Sequence, residues 1–327
     1  MAGLLGPSAG RIWPMNFLWT DGPRANPATA LTWGVTVLSL FVVVVITLLV
    51  VIGVVVRRRR GIPAADAPIE QQGDGLAWIT IGLALTLIAL AATLVWTMAA
   101  LAAIDSPASP PTVTLLVTGH EWWWEVRYLG VGPSRSFTTA NEIHIPVGQP
   151  VKVWLEGADV IHSFWVPALT GKTETIPGRT NLTWLQADRP GVYRGQCAEY
   201  CGLQHAHMAV YVIAEPPAAF EAWRRTQMLE AANAAGPQME AGQAVFEARC
   251  AECHAVRGTG AHGAKGPDLT HLMSRQTLAA GAVANTTGGL SGWIANPQAL
   301  KPGAKMPATY LSGPQLVELR AYLETLR

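Results

Sequence analysis

Residues 190–208 read PGVYRGQCAEYCGLQHAHM, and Cys197, Cys201, His205 and Met208 fall within them as C-x3-C-x3-H-x2-M. Thiolate and thioether ligands are soft and favour copper, whereas imidazole suits several metals. A blue-copper site uses one Cys, two His and a weak Met. Here a second cysteine is added, and two thiolates on one loop can bridge two copper ions with His and Met as terminal ligands. A further His must then come from elsewhere. His162, in DVIHSFWVP at a strand end 35 residues before Cys197, fits that need. A bridged pair sharing one electron keeps its geometry nearly fixed on reduction, which suits electron transfer. The residues alone leave open a structural zinc site or a Cys197–Cys201 disulfide. His207 alternates with the ligands and is not expected to be one.

Around that loop, from about Thr112 to Ala214, apolar residues come in short alternating runs: TVTLLV, NEIHIPV, VKVWLE, NLTWLQA and MAVYVIA. Turn residues separate them, and this spacing predicts an all-β sandwich or barrel. Upstream, DSPASPP at 105–111 is a Pro-rich linker. Two charge-free apolar runs precede it, about Ala28–Val56 and Gly75–Ile104. About 20 apolar residues suffice to cross a bilayer, so both runs predict membrane-spanning helices. Arg57, Arg58, Arg59 and Arg60 follow the first run. The positive-inside rule places that loop, near 57–74, in the cytoplasm, and residues 1–27 and everything after Asp105 outside. The first run is too long for a signal-peptide core and follows a polar-to-mixed segment, so a retained anchor is expected. Trp13, Phe17 and Trp19 in that segment point to a membrane interface or a contact with a partner subunit.

The chain has 327 residues, 50% hydrophobic and 14% charged, with a net charge of +1. Ordinary soluble domains are about 25% charged. The deficit argues against disorder, a nucleic-acid binder and an ordinary cytosolic enzyme. The near-zero total hides an asymmetry: residues 105–215 hold 7 basic and 10 acidic residues, and residues 237–327 hold 8 and 6. Opposite signs favour docking between these two parts.

Residues 216–238 open on prolines and are rich in Ala and polar residues, a partly helical linker. From Met239 the period turns helical: MEAGQAVFEARC opens the last segment and GPQLVELRAYLETLR closes it. Residues 250–254 read CAECH. C-x-x-C-H is the c-type haem attachment pattern: the thiols of Cys250 and Cys253 add to the haem vinyl groups, and His254 is the proximal ligand. A thioredoxin-like redox pair is the competing reading, without the βαβ context it needs. Met306, Met273, His262 and His271 are candidates for the distal ligand. Met306, in KPGAKMPATYLSG before the last helix, is favoured, and a Met raises the haem potential relative to His. Met273 is expected in the core. His271, in GPDLTHL, is expected at the surface or the haem edge.

The stretches GHEWWWEVRY, ADVIHSFWVPAL, GKTETIPGRTN and PGVYRGQCAEYCGLQHAHM, with the two apolar runs before them, resemble subunit II of the haem–copper cytochrome c oxidases. That likeness covers about residues 28–215. The segment from about Met239 to Arg327 is similar to class I cytochromes c. The whole therefore looks like subunit II of a caa3-type oxidase. The resemblance implies a multidomain membrane protein. Its parts are an N-terminal outer segment (1–27), a two-helix transmembrane hairpin (28–104), a cupredoxin-like β-sandwich or barrel holding copper-A (105–215), a linker (216–238) and an all-α cytochrome c domain (239–327).

The resemblance also implies roles. Cys197 and Cys201 bridge two coppers, His162, His205 and Met208 are terminal ligands, and Glu199 gives its backbone carbonyl. The Glu199 carboxylate faces a magnesium ion at the contact with subunit I. Trp122 heads the aromatic cluster and is where electrons enter the copper site. At least one of Trp122, Trp123 and Trp124 is strand packing, since strand neighbours alternate faces. Related subunits often carry a Glu three residues ahead of a Trp at the second span, which assists proton uptake. Here Trp78 has Gly75 at that position and Asp74 one further back, so Asp74 is the candidate substitute.

The implied electron route runs from an external donor to the haem, then copper-A, then the haem and copper of subunit I. The donor is reduced cytochrome c or another respiratory component such as the cytochrome bc complex. Oxygen is reduced to water in subunit I, with proton translocation, and subunit III is a further partner. The location implied is the bacterial cell membrane, with the copper and haem domains on the outer side. A linker of about 20 residues holds the haem near mM effective concentration. Three competing classes meet contrary features: a copper-free quinol oxidase subunit (intact ligands), nitrous oxide reductase (two spans) and a copper carrier (fused haem). A subunit of a nitric oxide reductase-type enzyme stays open, because that distinction lies in the partner.

Overall fold

The computed structural model describes residues 12, 13, 15, 17–60, 75–130 and 136–327. Asp74 lies outside them. Two compact units are formed, one by Asn26–Ser106 and the other by the remainder of the chain.

The first unit is a pair of long helices, α1 (Asn26–Arg59) and α2 (Gly75–Asp105). Their lengths of 34 and 31 residues exceed what a bilayer needs, and their side chains are almost all exposed and apolar. Such a surface suits lipid rather than water. The threonines fit the same solvent: the Oγ1 of Thr32, Thr47, Thr80 and Thr86 each donates to the carbonyl four residues back. No hydroxyl of these four is then left bare in hydrocarbon. Trp96 of α2 lies where a side chain on Gly34 of α1 would stand, 2.2 Å from the Cβ position, so glycine lets the helices close. Arg57, Arg58 and Arg59 occupy the last turn of α1, where cations complement the helix dipole.

The second unit opens with β1 (Ile12–Trp13) and continues, after the membrane hairpin, as a β-sandwich. Its strands are β2 (Val113–His120), β3 (Trp123–Leu129), β4 (Phe137–Ala140), β5 (Glu142–Pro146), β6 (Val151–Gly157), β7 (His162–Phe164), β8 (Thr173–Thr175), β9 (Asn181–Leu185), β10 (Gly191–Gln196) and β11 (Ala209–Glu215). One sheet has the order β4-β3-β2-β6-β9, another β1-β10-β11-β5, and β7 with β8 forms a small ribbon. Alternate residues of β2, β3 and β6 are buried, as period-2 patterning requires. Leu115, Val117, Val126, Val153 and Leu155 form the core with Trp124, Phe164 and Tyr193.

The N-terminal segment is part of this sandwich. β1 lies parallel to β10 at the sheet edge. The Asp21 N–H donates to the Ala168 carbonyl at 2.8 Å, and the Asp21 carbonyl accepts from Asp188 N at 2.9 Å. The Asp21 carboxylate is 4% exposed and is held by Arg189 and the Tyr193 hydroxyl. Sequence reading left this stretch to the membrane or a partner; backbone pairing with the chain's own β-domain was not visible in it.

After β11 comes α3 (Pro217–Gln227), within the segment expected to be a linker. Phe220 is fully buried in the sandwich core. Trp223 stacks on His144 at 4.0 Å and meets Tyr128 edge-on at 5.3 Å. Its helical character was anticipated. Its burial was not, because Phe220 and Trp223 stand alone in a polar, Ala-rich stretch.

The C-terminal part holds α4 (Pro237–Arg249), the short pair β12 (Thr277–Leu278) and β13 (Val283–Ala284), then α5 (Thr287–Ala295), α6 (Pro297–Leu300) and α7 (Gly313–Leu323). Helices α4 and α7 cross at Gly242, where a Cβ would stand 2.0 Å from the Glu318 carbonyl oxygen. Phe246 and Tyr322 pack beside that crossing with rings 5.7 Å apart. Met273 packs against the same core, as expected.

Candidate copper and haem sites

The sandwich brings one end of β10, the loop before β11 and the start of β7 to one place. Cys197 follows β10, Cys201 and His205 lie on the loop, and Met208 is the last residue before β11. The two sulfurs are 3.7 Å apart, and Cys201 Sγ is 3.6 Å from His205 Nδ1 and 3.9 Å from Met208 Sδ. Cys197 Sγ donates to the Glu199 carbonyl at 3.2 Å. His162, Cys197 and Cys201 offer ligand atoms within 4.8 Å of one another, all buried. Both cysteines are free thiols. Every residue expected in the copper set is thus gathered, while His207 is exposed and faces Gln204 at 2.7 Å.

The chemistry of this donor set fits copper. His162 is fully buried, and its Nε2 is tied to Asp159 Oδ1 at 2.8 Å. Its Nδ1 is buried with no hydrogen-bond partner, a costly state for a polar atom unless something binds there. Fixing one ring nitrogen with a carboxylate to present the other is how metal-bound histidines are held. The Cys201 thiol, a hydrogen-bond donor, pushes the Cys197 thiol down to about 4, and the same contact together with burial raises Cys201. Burial opposes the charged form of His162, but Cys197 and Asp159 outweigh it and the pKa rises. For Asp159 burial is likewise outweighed, by His162 and the N–H groups of Glu121 and Val160, and its carboxyl falls to about 2. Asp159 was not singled out from sequence. Its place three residues before His162 was the available signal.

Trp122 is 7% exposed, and its indole Nε1 donates to the Cys201 carbonyl at 2.8 Å. The ring lies against Gly202, where a Cβ would stand 3.0 Å from it at a backbone φ of +109°. Glycine is required there on both counts. Trp124 is packing, edge-on to Phe164 at 5.7 Å and to His162 at 6.0 Å. Trp123 stacks on His120 at 4.4 Å.

In the C-terminal part, α4 delivers the C-x-x-C-H residues at its end. Cys250 caps the helix, and the His254 N–H donates to the Cys250 carbonyl at 2.9 Å. His254 Nδ1 donates to the Pro267 carbonyl at 2.8 Å, which leaves Nε2 to ligate. Burial lowers its pKa and so favours the neutral imidazole a metal needs. Gly266 lies flat against that ring: a Cβ there would stand 2.7 Å from His254 Cε1. This fits the demands of a proximal haem ligand. Met306 is half-buried in the loop between α6 and α7, which Gln298 Nε2 holds by donating to the carbonyls of Ala304 (2.7 Å) and Met306 (3.0 Å). His262 is exposed. His271 corrects an expectation: it is not at the surface. It is 4% exposed, with its ring nitrogens 2.6 Å from the Arg327 oxygen and 3.1 Å from the Leu229 oxygen. It ties the chain end to the segment after α3.

Comparison with known proteins matches both domains. Residues 125–215 match the family profile of the periplasmic domain of cytochrome c oxidase subunit II, and residues 239–327 match that of cytochrome c. Subunit 2 of cytochrome c oxidase from Alkalihalophilus pseudofirmus is 42% identical over 225 residues, 68% of this chain and 64% of the relative. The chain therefore spans a little under two thirds of that relative's length. The subunit from a Bacillus species is 32% identical over 292 residues, 83% of this chain and 80% of the relative. A crystal structure of the periplasmic domain of oxidase subunit II from Bradyrhizobium japonicum covers 37% of this chain and 96% of that domain, at 32% identity and a TM-score of 0.34. A copper-A domain and a haem-c domain in one chain fit the caa3 type, and the chain belongs to the cytochrome c oxidase subunit II family.

Proposed function

We propose that this chain is the electron-receiving subunit of a caa3-type oxidase. It takes electrons at its haem-c domain and passes them by way of copper-A to the haem–copper subunit I, which reduces oxygen. One observation carries the reading: Trp122 joins the copper loop to the haem domain. Its indole donates to the carbonyl of Cys201 on the copper side, and its own carbonyl accepts from Lys301 Nζ of the haem domain at 2.8 Å.

When bound, the copper pair and the covalent haem supply reversible one-electron chemistry with little change in geometry. The chain's residues arrange for it. Cys197 and Cys201, with His162 Nδ1, His205 Nδ1, Met208 Sδ and the Glu199 carbonyl, would hold the copper pair, and the Glu199 carboxylate would hold magnesium at subunit I. Burial of both thiols and of His162 excludes water. Cys250, Cys253, His254 and Met306 would hold the haem. The spans would place both domains outside the cell membrane, with Arg57–Arg60 inside. Subunits I and III and a reduced respiratory donor are the partners this requires.

Metal analysis and electron spin resonance on the purified complex test the copper assignment. Two coppers per chain sharing one unpaired electron are expected, and a single copper or a zinc would overturn it.

A further inference from the structure

A haem domain on a flexible tether would meet the copper domain by repeated encounter. The contacts here are of a different kind, since each domain buries a charged side chain in the other. Glu142, on β5, is 2% exposed. Its Oε1 accepts from the N–H groups of Gln276 (2.8 Å) and Thr277 (2.9 Å) and from the Thr277 hydroxyl (3.2 Å), all in the haem domain. Lys301, after α6, is 3% exposed. Its Nζ donates to the Trp122 carbonyl at 2.8 Å and to the Ala279 carbonyl at 2.9 Å.

Between the two points lies the turn Ala279–Ala280–Gly281, with three successive positive φ values of 54°, 58° and 83°. Non-glycine residues hold such angles only where surrounding contacts fix them. The Ala280 carbonyl accepts from Ala209 N, the residue after Met208, at 3.0 Å. The connection from α3 is also tied down: the Ala231 N–H donates to the Arg257 carbonyl at 3.0 Å.

We propose that Glu142 and Lys301 form a two-point latch that holds the haem domain docked over Trp122, with Lys301 as a positioning residue for transfer between the two redox sites. The inference rests on the function proposed above for the meaning of the docked face. The latch itself rests on geometry alone. Burial pushes the Lys301 ammonium down to about 7. A neutral amine still has two N–H donors, which match the two carbonyls, so the latch is satisfied in either protonation state.

Amide hydrogen exchange in the purified complex reads the latch directly. Lys301→Met keeps the length and apolar stem but leaves two buried carbonyls unpaired, which raises the opening equilibrium about tenfold or more. The expected result is that faster exchange at Gln276 and Thr277, the opposite latch point, with α4 and α7 unchanged. Glu142→Gln, which keeps one acceptor oxygen, should raise exchange at the same amides by a smaller factor. Unchanged exchange at Gln276 and Thr277 in Lys301→Met, or equal acceleration throughout α4 and α7, would overturn the latch. In the same variant, photoreduced haem should pass its electron to copper more slowly while both absorption spectra stay as in the parent. Altered spectra or missing metals in the parent would instead count against the function, whatever the exchange shows.

Discussion

Replacing Asp159 by Asn probes whether His162 is held ready for copper by its neighbour. The carboxylate is saturated: Oδ1 accepts from Val160 N (2.8 Å) and faces His162 Nε2 (2.8 Å), and Oδ2 accepts from Glu121 N (2.7 Å) and Lys305 Nζ (3.3 Å). An asparagine has only one acceptor oxygen, and in either orientation its NH2 group meets a backbone N–H. If the NH2 takes the Oδ1 place, it satisfies the ring only by driving the ring proton onto Nδ1, the nitrogen copper needs. Loss of such an outer partner typically costs 10- to 100-fold in metal affinity, about 1.4–2.8 kcal/mol. Asp159→Asn should fall at the upper end because it also promotes the wrong tautomer, and Asp159→Ala at the lower. The assay is chelator titration of the purified complex, following copper content and the electron spin resonance signal. Release at about 100-fold lower chelator activity is expected for the asparagine variant. Retention within about twofold of the parent would refute the reasoning. The sign with pH follows from the lowered pKa. A carboxyl at about 2 against an ordinary 3.8 contributes fully above 3.8 and is lost as pH falls through 2. The gap between parent and variant should therefore be flat near neutrality, and a gap that closes there would assign the tautomer to another group.

Three further outcomes are expected. Gly266→Ala places a Cβ 2.7 Å from His254 Cε1, so the haem spectrum should lose its normal low-spin form, with about 1–3 kcal/mol of overpacking; an unchanged spectrum would remove His254 as the iron ligand. Met306→His should lower the haem potential and abolish any sulfur–iron band, and an unaltered band would point to another distal residue. Trp122→Phe keeps an aromatic ring in part of the space but leaves the Cys201 carbonyl without its donor. Haem-to-copper transfer measured by flash photoreduction should slow while copper content holds, and equal rates would take Trp122 out of the route.

The clustering of the proposed copper set was legible because five of its residues share a 12-residue stretch, where spacing alone constrains geometry. The C-x-x-C-H pattern was legible for the same reason. His162 needed the strand reading and the resemblance, since 35 residues separate it from Cys197. What stayed hidden depends on surfaces brought together by the fold. Lys301 meets Trp122 across 179 positions, and Asp21 meets Tyr193 across 172. No local pattern marks either pair. Lys301 and Lys305 were in view within KPGAK, but a lysine beside a proline turn ordinarily reads as a solvated flank. The burial of His271 was missed because a His in a polar loop gives no sign that two backbone oxygens await it. The burial of Phe220 and Trp223 was missed because two aromatics cannot establish a periodic face.

The opposite charges of the two domains were read from sequence as a force for docking, and the structure shows what that force can do. Lys305 bridges Glu121 at 2.9 Å and Asp159 at 3.3 Å, but its side chain is 61% exposed. Pairs of this kind contribute about 0–1 kcal/mol and weaken with salt. The buried contacts are less sensitive, because a charged group hydrogen-bonded away from water contributes about 1.5–3 kcal/mol per bond and is screened little. Net charge therefore selects the approach and orientation, while Glu142 and Lys301 set the lifetime of the docked state. A complex held mainly by Lys305-type pairs would come apart as salt rises past physiological strength, where the Debye length is about 8 Å. One held by the latch keeps Trp122 covered. By the same division the more exposed lysine touches Asp159, the carboxylate paired with His162, whereas the buried one touches only backbone. Salt can loosen the first contact without opening the second.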